Sequence, residues 1–187
     1  MPRPPDQQGR QPAPGDAVRC FVGAFVEAGD AARLRREARR QLGAAGRLLP
    51  AANYHVTLKF LGDVARQDLA GALDRVAALQ GVRMRVSLPA LTGFPAPDRS
   101  RLVAAEVADD GTLAAWHAAL NERFWPEDRP FRPHITLVRY RRPRRLARAP
   151  IDPPWIVSLD APRLYRSDRD RAGARYRPVT PADVAAP

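Results

Sequence analysis

The chain has 187 residues, 45% of them hydrophobic, enough to bury one core in a single domain or two small lobes. No apolar run approaches the ~20 residues that span a bilayer, the first residues hold no apolar signal core, and the lone Cys20 excludes an internal disulfide, so a cytoplasmic protein without a membrane partner is expected. The net charge of +11 points to a polyanionic partner, but Lys59 is the only lysine, and such an arginine bias beside heavy alanine and proline use also arises from coding composition; charge alone leaves RNA or nucleotide binding open.

Residues 1 to 16, rich in proline, glutamine and glycine, are expected to form a disordered leader. Val18 to Val26 is β-like, with Cys20 as a core residue, and Asp30 is placed to cap a helix reaching about Gly43, one side of it marked by Leu34, Ala38 and Leu42. A loop with Pro50 and Asn53 leads to an apolar strand from His55 to Asp63. Helical register predicts a second helix from Gln67 to Leu79, Met84, Val86 and Leu88 alternate as on a half-buried strand, and Thr92 to Ser100 reads as a loop. Then the order returns. Arg101 to Val107 reads as a strand, Thr112 as the cap of a helix through Phe124, and Pro126 and Pro130 close that helix before another strand at His134. Arg141 to Arg148 reads as a basic loop, Trp155 to Leu159 and Pro162 to Tyr165 as strands, and Gly173 to Val179 as the return of a hairpin; residues 180 to 187 are expected to be a flexible tail.

Within this repeated unit one phrase recurs: His55-Val56-Thr57-Leu58 and His134-Ile135-Thr136-Leu137. Alternation on a strand sets each histidine and its threonine on one face, roughly 6 to 7 Å apart, while Val56 or Ile135 turns to the core. Two imidazoles near neutrality can activate an attacking oxygen and protonate a leaving one across a phosphodiester, each worth ~10² to 10⁴ in rate. The hydroxyls of Thr57 and Thr136 can donate to non-bridging oxygens, and Arg139, three residues past Thr136, can add a charge-assisted contact. A metal site is disfavoured, since each copy offers one histidine and no cysteine or carboxylate at ligand spacing. His117, beside Trp116 on a helix without the motif, reads as structural. Lys59 falls on the face of His55 by alternation, where it could add charge near the phosphate, but it is expected to reach solvent.

At these residues, HVTLKFLG and FRPHITLVRY, the sequence resembles the two-histidine phosphoesterase superfamily, and within it the RNA 2′,3′-cyclic phosphodiesterase branch, also described as 2′-5′ RNA ligases. Arg19 to Ala24 is similar to that branch's opening strand, and Leu164 to Ser167 with Arg175 to Pro178 to its closing hairpin, so the resemblance covers about residues 18 to 179. It implies a single α+β bilobal domain over residues 17 to 179: two pseudo-symmetric halves, each with an antiparallel sheet and outer helices, the sheets lining a central cleft. It also implies metal-independent, cofactor-free hydrolysis of 2′,3′-cyclic phosphate RNA ends to 2′-phosphomonoesters by a monomer, with tRNA fragments among the expected partners and 2′-5′ ligation as the reverse reaction. By that analogy His134 activates water and His55 protonates the leaving oxygen, an assignment that can be exchanged. Thr57, Thr136 and Arg139 would hold the phosphate, and Phe21 matches an aromatic that could stack on the terminal base or simply fill the core. Another small cyclic phosphate as substrate, of nucleotide or ADP-ribose type, and a non-catalytic RNA-binding module remain as alternatives.

Overall fold

Strand alternation governs the first element: Val18, Cys20, Val22 and Ala24 of β1 (Ala17–Phe25) are all buried on one face, while Phe21, Gly23 and Phe25 turn to the other. The computed structural model describes residues 16–43, 46–127, 129–170 and 173–185; apart from Asp16, the leader expected at the N-terminus lies outside them. Along the described chain follow α1 (Ala28–Leu42), β2 (Arg47–Leu48), β3 (His55–Ala65), α2 (Leu69–Ala77), β4 (Met84–Phe94), β5 (Ser100–Glu106), α3 (Thr112–Arg123), β6 (His134–Arg144), β7 (Ala149–Leu159), β8 (Arg163–Asp170), β9 (Gly173–Pro178) and α4 (Pro181–Ala185). The fold is α+β, with wholly antiparallel pairing among the described strands.

The strands form one open sheet in the order β7-β4-β5-β6-β3-β1-β8-β9, with β2 against β6. The halves expected from the repeat thus share a continuous sheet and do not each close their own. Across their junction β2 makes two pairs with β6 and Val26 bridges to Leu159, but the motif strands β3 and β6 themselves meet in a single residue pair, Val56 with Ile135. About that pair the strand order reads symmetrically, with a motif strand, the opening strand of its half (β1 or β5) and two outer strands on either side. Behind the junction Val56, Leu58, Ile135 and Leu137 enter one apolar core with Leu34 and Ala38 of α1, Leu69 and Val76 of α2, and Leu113 and Leu120 of α3.

Each motif strand is interrupted at the same point. Thr57 pairs with Gly23 and Lys59 with Val22, leaving Leu58 as an extra residue. Thr136 pairs with Ala104 and Val138 with Val103, leaving Leu137 extra. Each leucine is therefore a β-bulge, which resets the alternation so that the next residue also turns inward. Lys59 is consequently 1% exposed, contrary to the expected path to solvent, and Val138 is 2% exposed.

Other boundaries shift for local reasons. Asp30 lies within the first turn of α1, where its carboxylate accepts from the Ser158 amide at 2.7 Å and from Arg33 at 2.8 Å. Helix α3 begins at Thr112 itself; Gly111 takes a left-handed φ of 99°, Asp110 accepts from the Thr112 amide at 3.1 Å, and Asp109 accepts from the Leu113 amide. β4 runs on to Phe94 because β5 pairs with it, and the first part of the basic run is the far end of β6, reaching Arg144 opposite Ser100. Residues 181–185, in the expected tail, form α4: Asp183 accepts from the Thr180 amide and hydroxyl at 2.8 Å each and pairs with Arg166 at 3.2 Å. Among the described residues no helix is long and apolar enough to cross a membrane.

Candidate active site

The single Val56–Ile135 pair sets the geometry of the histidines. In antiparallel register it places His55 across from Thr136 and Thr57 across from His134. The two histidines are then diagonal neighbours, with Cβ atoms roughly 7 to 8 Å apart if the pairing is regular. Val56 and Ile135 are fully buried, so the histidines and threonines share the opposite face.

Both imidazoles are clamped alike. Nδ1–H of His55 donates to the Asn53 carbonyl at 2.7 Å, and Nδ1–H of His134 donates to the Arg132 carbonyl at 2.7 Å, in each case two residues back. Since a carbonyl only accepts, the neutral ring must carry its proton on Nδ1, leaving Nε2 as a free base. Nε2 of His55 accepts from the Thr57 hydroxyl at 3.1 Å.

Their surroundings are aromatic. His55 stacks on Phe25 at 4.8 Å between centroids and touches Phe21 and Tyr176 at 5.0 Å each, with Tyr165 behind at 4.1 Å from Phe25. His134 stacks on Phe94 at 4.2 Å, whose ring also carries the Arg132 guanidinium at 4.5 Å. Burial accordingly pushes His55 down to about 4; the Asn53 carbonyl resists this, and the charges of His134 and Arg139 reinforce it. Burial likewise lowers His134, against the Arg132 carbonyl and with the charges of Arg132 and Arg139. Arg139 thus bears on both rings, and the two rings on one another at least in one direction. Both histidines are neutral at neutral pH when no anion is present.

Of the residues expected at the site, His55, Thr57, His134, Thr136 and Arg139 lie on the two motif strands that meet at the junction. Phe21 is 3% exposed and packs on His55, Tyr165 and Tyr176, so its ring supports the imidazole and has no open face for a base. Phe25, Phe94, Tyr176 and Arg132 escaped the sequence reading. Phe25 had a signal, being two and four residues from Gly23 and Phe21 on the same strand face. Phe94 and Tyr176 had none, because only the pairing of outer strands brings them near. Among the described residues no three or more His, Cys, Asp or Glu side chains converge as a metal-ligand group.

Over 100 residues the chain is 35% identical to the RNA 2′,3′-cyclic phosphodiesterase of Aeropyrum pernix, an overlap of 50% of this chain and 57% of that protein. Over 130 residues it is 25% identical to the RNA 2′,3′-cyclic phosphodiesterase of Archaeoglobus fulgidus, an overlap of 67% and 74%. The match therefore spans little more than half the length of the A. pernix relative. Its fold is similar to that of E. coli LigT complexed with ATP, with a TM-score of 0.73 and 24% identity over 89% of this chain and 96% of that one. It is also similar to a protein of Thermus thermophilus, with a TM-score of 0.70 and 24% identity over 87% and 96%. The model of the 2′-5′ RNA ligase superfamily matches residues 24–171, a span containing both histidine motifs, both bulges and the junction between them, and the chain belongs to that superfamily.

Proposed function

We propose that the chain is an enzyme that hydrolyses 2′,3′-cyclic phosphate ends of RNA to 2′-phosphomonoesters, without metal, through His55 and His134. The observation that carries this reading is the pair of imidazoles with identical Nδ1 clamps on one face of the single β3–β6 pair. A lone structural histidine needs no such counterpart. The relatives named above as RNA 2′,3′-cyclic phosphodiesterases support the choice of substrate.

In this mechanism Nε2 of His134 takes a proton from water as its oxygen attacks phosphorus. The bond from phosphorus to the 3′ oxygen breaks, and Nε2–H of His55 gives that oxygen its proton. Protonation of His55 turns Nε2 from acceptor to donor, which releases the Thr57 hydroxyl proton for a non-bridging oxygen. Thr136 and Arg139 take up the remaining charge as the transition state forms. Ligation through a 2′-5′ linkage is the same attack on the cyclic phosphate with a 5′ hydroxyl in place of water, the 3′ oxygen again leaving with the proton from the acid. The exchanged assignment of acid and base uses the same atoms, and solvent-isotope and pH profiles of the single variants tell the two apart.

The test is incubation of an oligonucleotide ending in 2′,3′-cyclic phosphate with the protein in EDTA, and identification of the product. A 2′-phosphate end is expected. No turnover would sink the reading, a need for added metal would sink the mechanism, and turnover of mononucleotide cyclic phosphates alone would move the substrate to that class.

A further inference from the structure

The residues directly after the first motif are bonded to the segment directly before the second. The bulge carbonyl of Leu58 accepts from Nδ1–H of His117 at 2.7 Å. Nε2 of His117 then accepts from the Asn121 amide at 3.1 Å, and Oδ1 of Asn121 accepts from Nζ of Lys59 at 2.7 Å. The other two ammonium protons of Lys59 go to the Trp125 carbonyl and to Glu127, the latter at 3.1 Å, with the charge also 5.3 Å from the Trp125 ring centroid. Every donor of this buried lysine is therefore occupied, which is the condition under which a charge is tolerated inside a protein. At the other end of the same segment Phe131 lies flat on His117, 4.4 Å between centroids and 10° between planes. Immediately beyond Phe131 comes Arg132, whose carbonyl clamps His134.

We infer that Lys59, Asn121 and His117 form a strut that positions His134, holding residues 124–127 on one side and 129–133 on the other so that the Arg132 carbonyl meets Nδ1. None of the three touches the reacting atoms; they are positioning residues, and the inference rests on the proposed role of His134. The ammonium contacts of Lys59 all lie on the helix and segment leading to His134, whereas His55 is clamped from Asn53, on a different segment. Two features separate it from ordinary packing: the ammonium spends two of its bonds on the segment that ends at His134, and the ring stack closes that segment at its far end.

The experiment compares Lys59→Met, Phe131→Ala and Phe131→Tyr with the parent protein, all checked for thermal stability. Phe131 is only half-buried, so Phe131→Ala keeps the test open if Lys59→Met fails to fold. Long-range proton–nitrogen NMR of the imidazoles, without substrate, is expected to show His134 in the Nδ1–H form in the parent and in both tautomers in Lys59→Met and Phe131→Ala, with His55 unchanged. On the cyclic-phosphate oligonucleotide kcat is expected to fall about 10- to 100-fold with KM within about twofold, as for a misplaced proton-transfer group, and Phe131→Tyr to restore it. An unchanged His134 tautomer in the folded variants, or an equal disturbance of His55, overturns the inference. Failure of the parent to turn over any cyclic phosphate removes the proposed function instead, and the ring spectra still decide whether the strut sets His134.

Discussion

The two motif strands share a bulge and differ in what is bonded to it. In β6 the carbonyl of the bulge residue Leu137 accepts from the backbone amide of Leu49 at 2.9 Å, on the segment leading to His55. In β3 the carbonyl of Leu58 accepts from the side chain of His117, on the helix leading to His134. Each strand thus holds the approach to the opposite histidine, one with main chain and one with side chains. The reason lies in what else ties each approach. The approach to His55 is already tied by Tyr54 to Ala51, by Val26 to Tyr54 and by the Asn53 side-chain amide to the Ala174 carbonyl. The approach to His134 follows α3 through three prolines, Pro126, Pro130 and Pro133, that offer no amide; the Val107 amide holds the Pro133 carbonyl at 3.1 Å, and side chains supply the rest of the fastening. After the bulge, accordingly, stands Lys59 in one half and Val138 in the other.

The sharpest way to break this comparison is at the histidines. His55→Ala and His134→Ala are each expected to lower single-turnover hydrolysis by ~10² to 10⁴, and the double variant by far less than the product of the two. A variant with parental turnover would show that its half contributes no proton transfer. Thr57→Val, Thr136→Val and Arg139→Ala come next, each expected at about 10- to 100-fold in kcat with RNA affinity little changed for the threonines. Unequal threonine effects would show that the phosphate sits nearer one strand.

The pH dependence separates the halves without mutation of the site as a whole. His55 is held at about 4 against an ordinary value near 6.5, so the unfolded chain takes up that proton first. Folding stability should therefore be level above pH 6.5 and fall as the pH drops toward 4, by about 3 kcal/mol for this group. Denaturant titrations of His55→Phe should lose most of that slope, and those of His134→Phe a smaller part. Because both rings are lowered in the empty protein, kcat/KM should peak below pH 6.5, while a bound phosphate anion should move the kcat optimum upward. The smallest effect is expected at Gly23, across from Thr57. A methyl there would lie 3.1 Å from the Phe21 ring and 3.0 Å from the Val56 carbonyl, pressing on the support of His55. Gly23→Ala should cost a few-fold in kcat, whereas Ala104→Gly, at the matching place across from Thr136, should leave His134 chemistry unaltered.

Much of this arrangement was legible in the residues. The repeated His-x-Thr phrase located both motif strands, because period-two burial is a local property, and the helices followed from apolar spacing. Lys59 was not legible: alternation assigns it to the histidine face, and only the pairing against Val22 and Gly23 reveals the extra residue at Leu58. The length of β6 was hidden by arginines and Pro143, which read as a loop although β5 supplies a partner as far as Ser100. The aromatic pocket of His55 was hidden for a related reason, since Tyr165 and Tyr176 come from strands over a hundred residues away, paired to β1 through β8. Local pattern found the groups proposed to react; non-local pairing decides what surrounds them.

The junction itself has a mechanical meaning. Where β3 meets β6 through one backbone pair, the spacing of the two imidazoles depends on the side chains wedged directly behind that pair. Val56 and Ile135, each 0% exposed, are that wedge. Neither carries any chemistry, yet trimming or enlarging either one is expected to alter how far apart the two nitrogens stand, so the spacing of the proposed proton-transfer groups is governed from the oily side of the sheet.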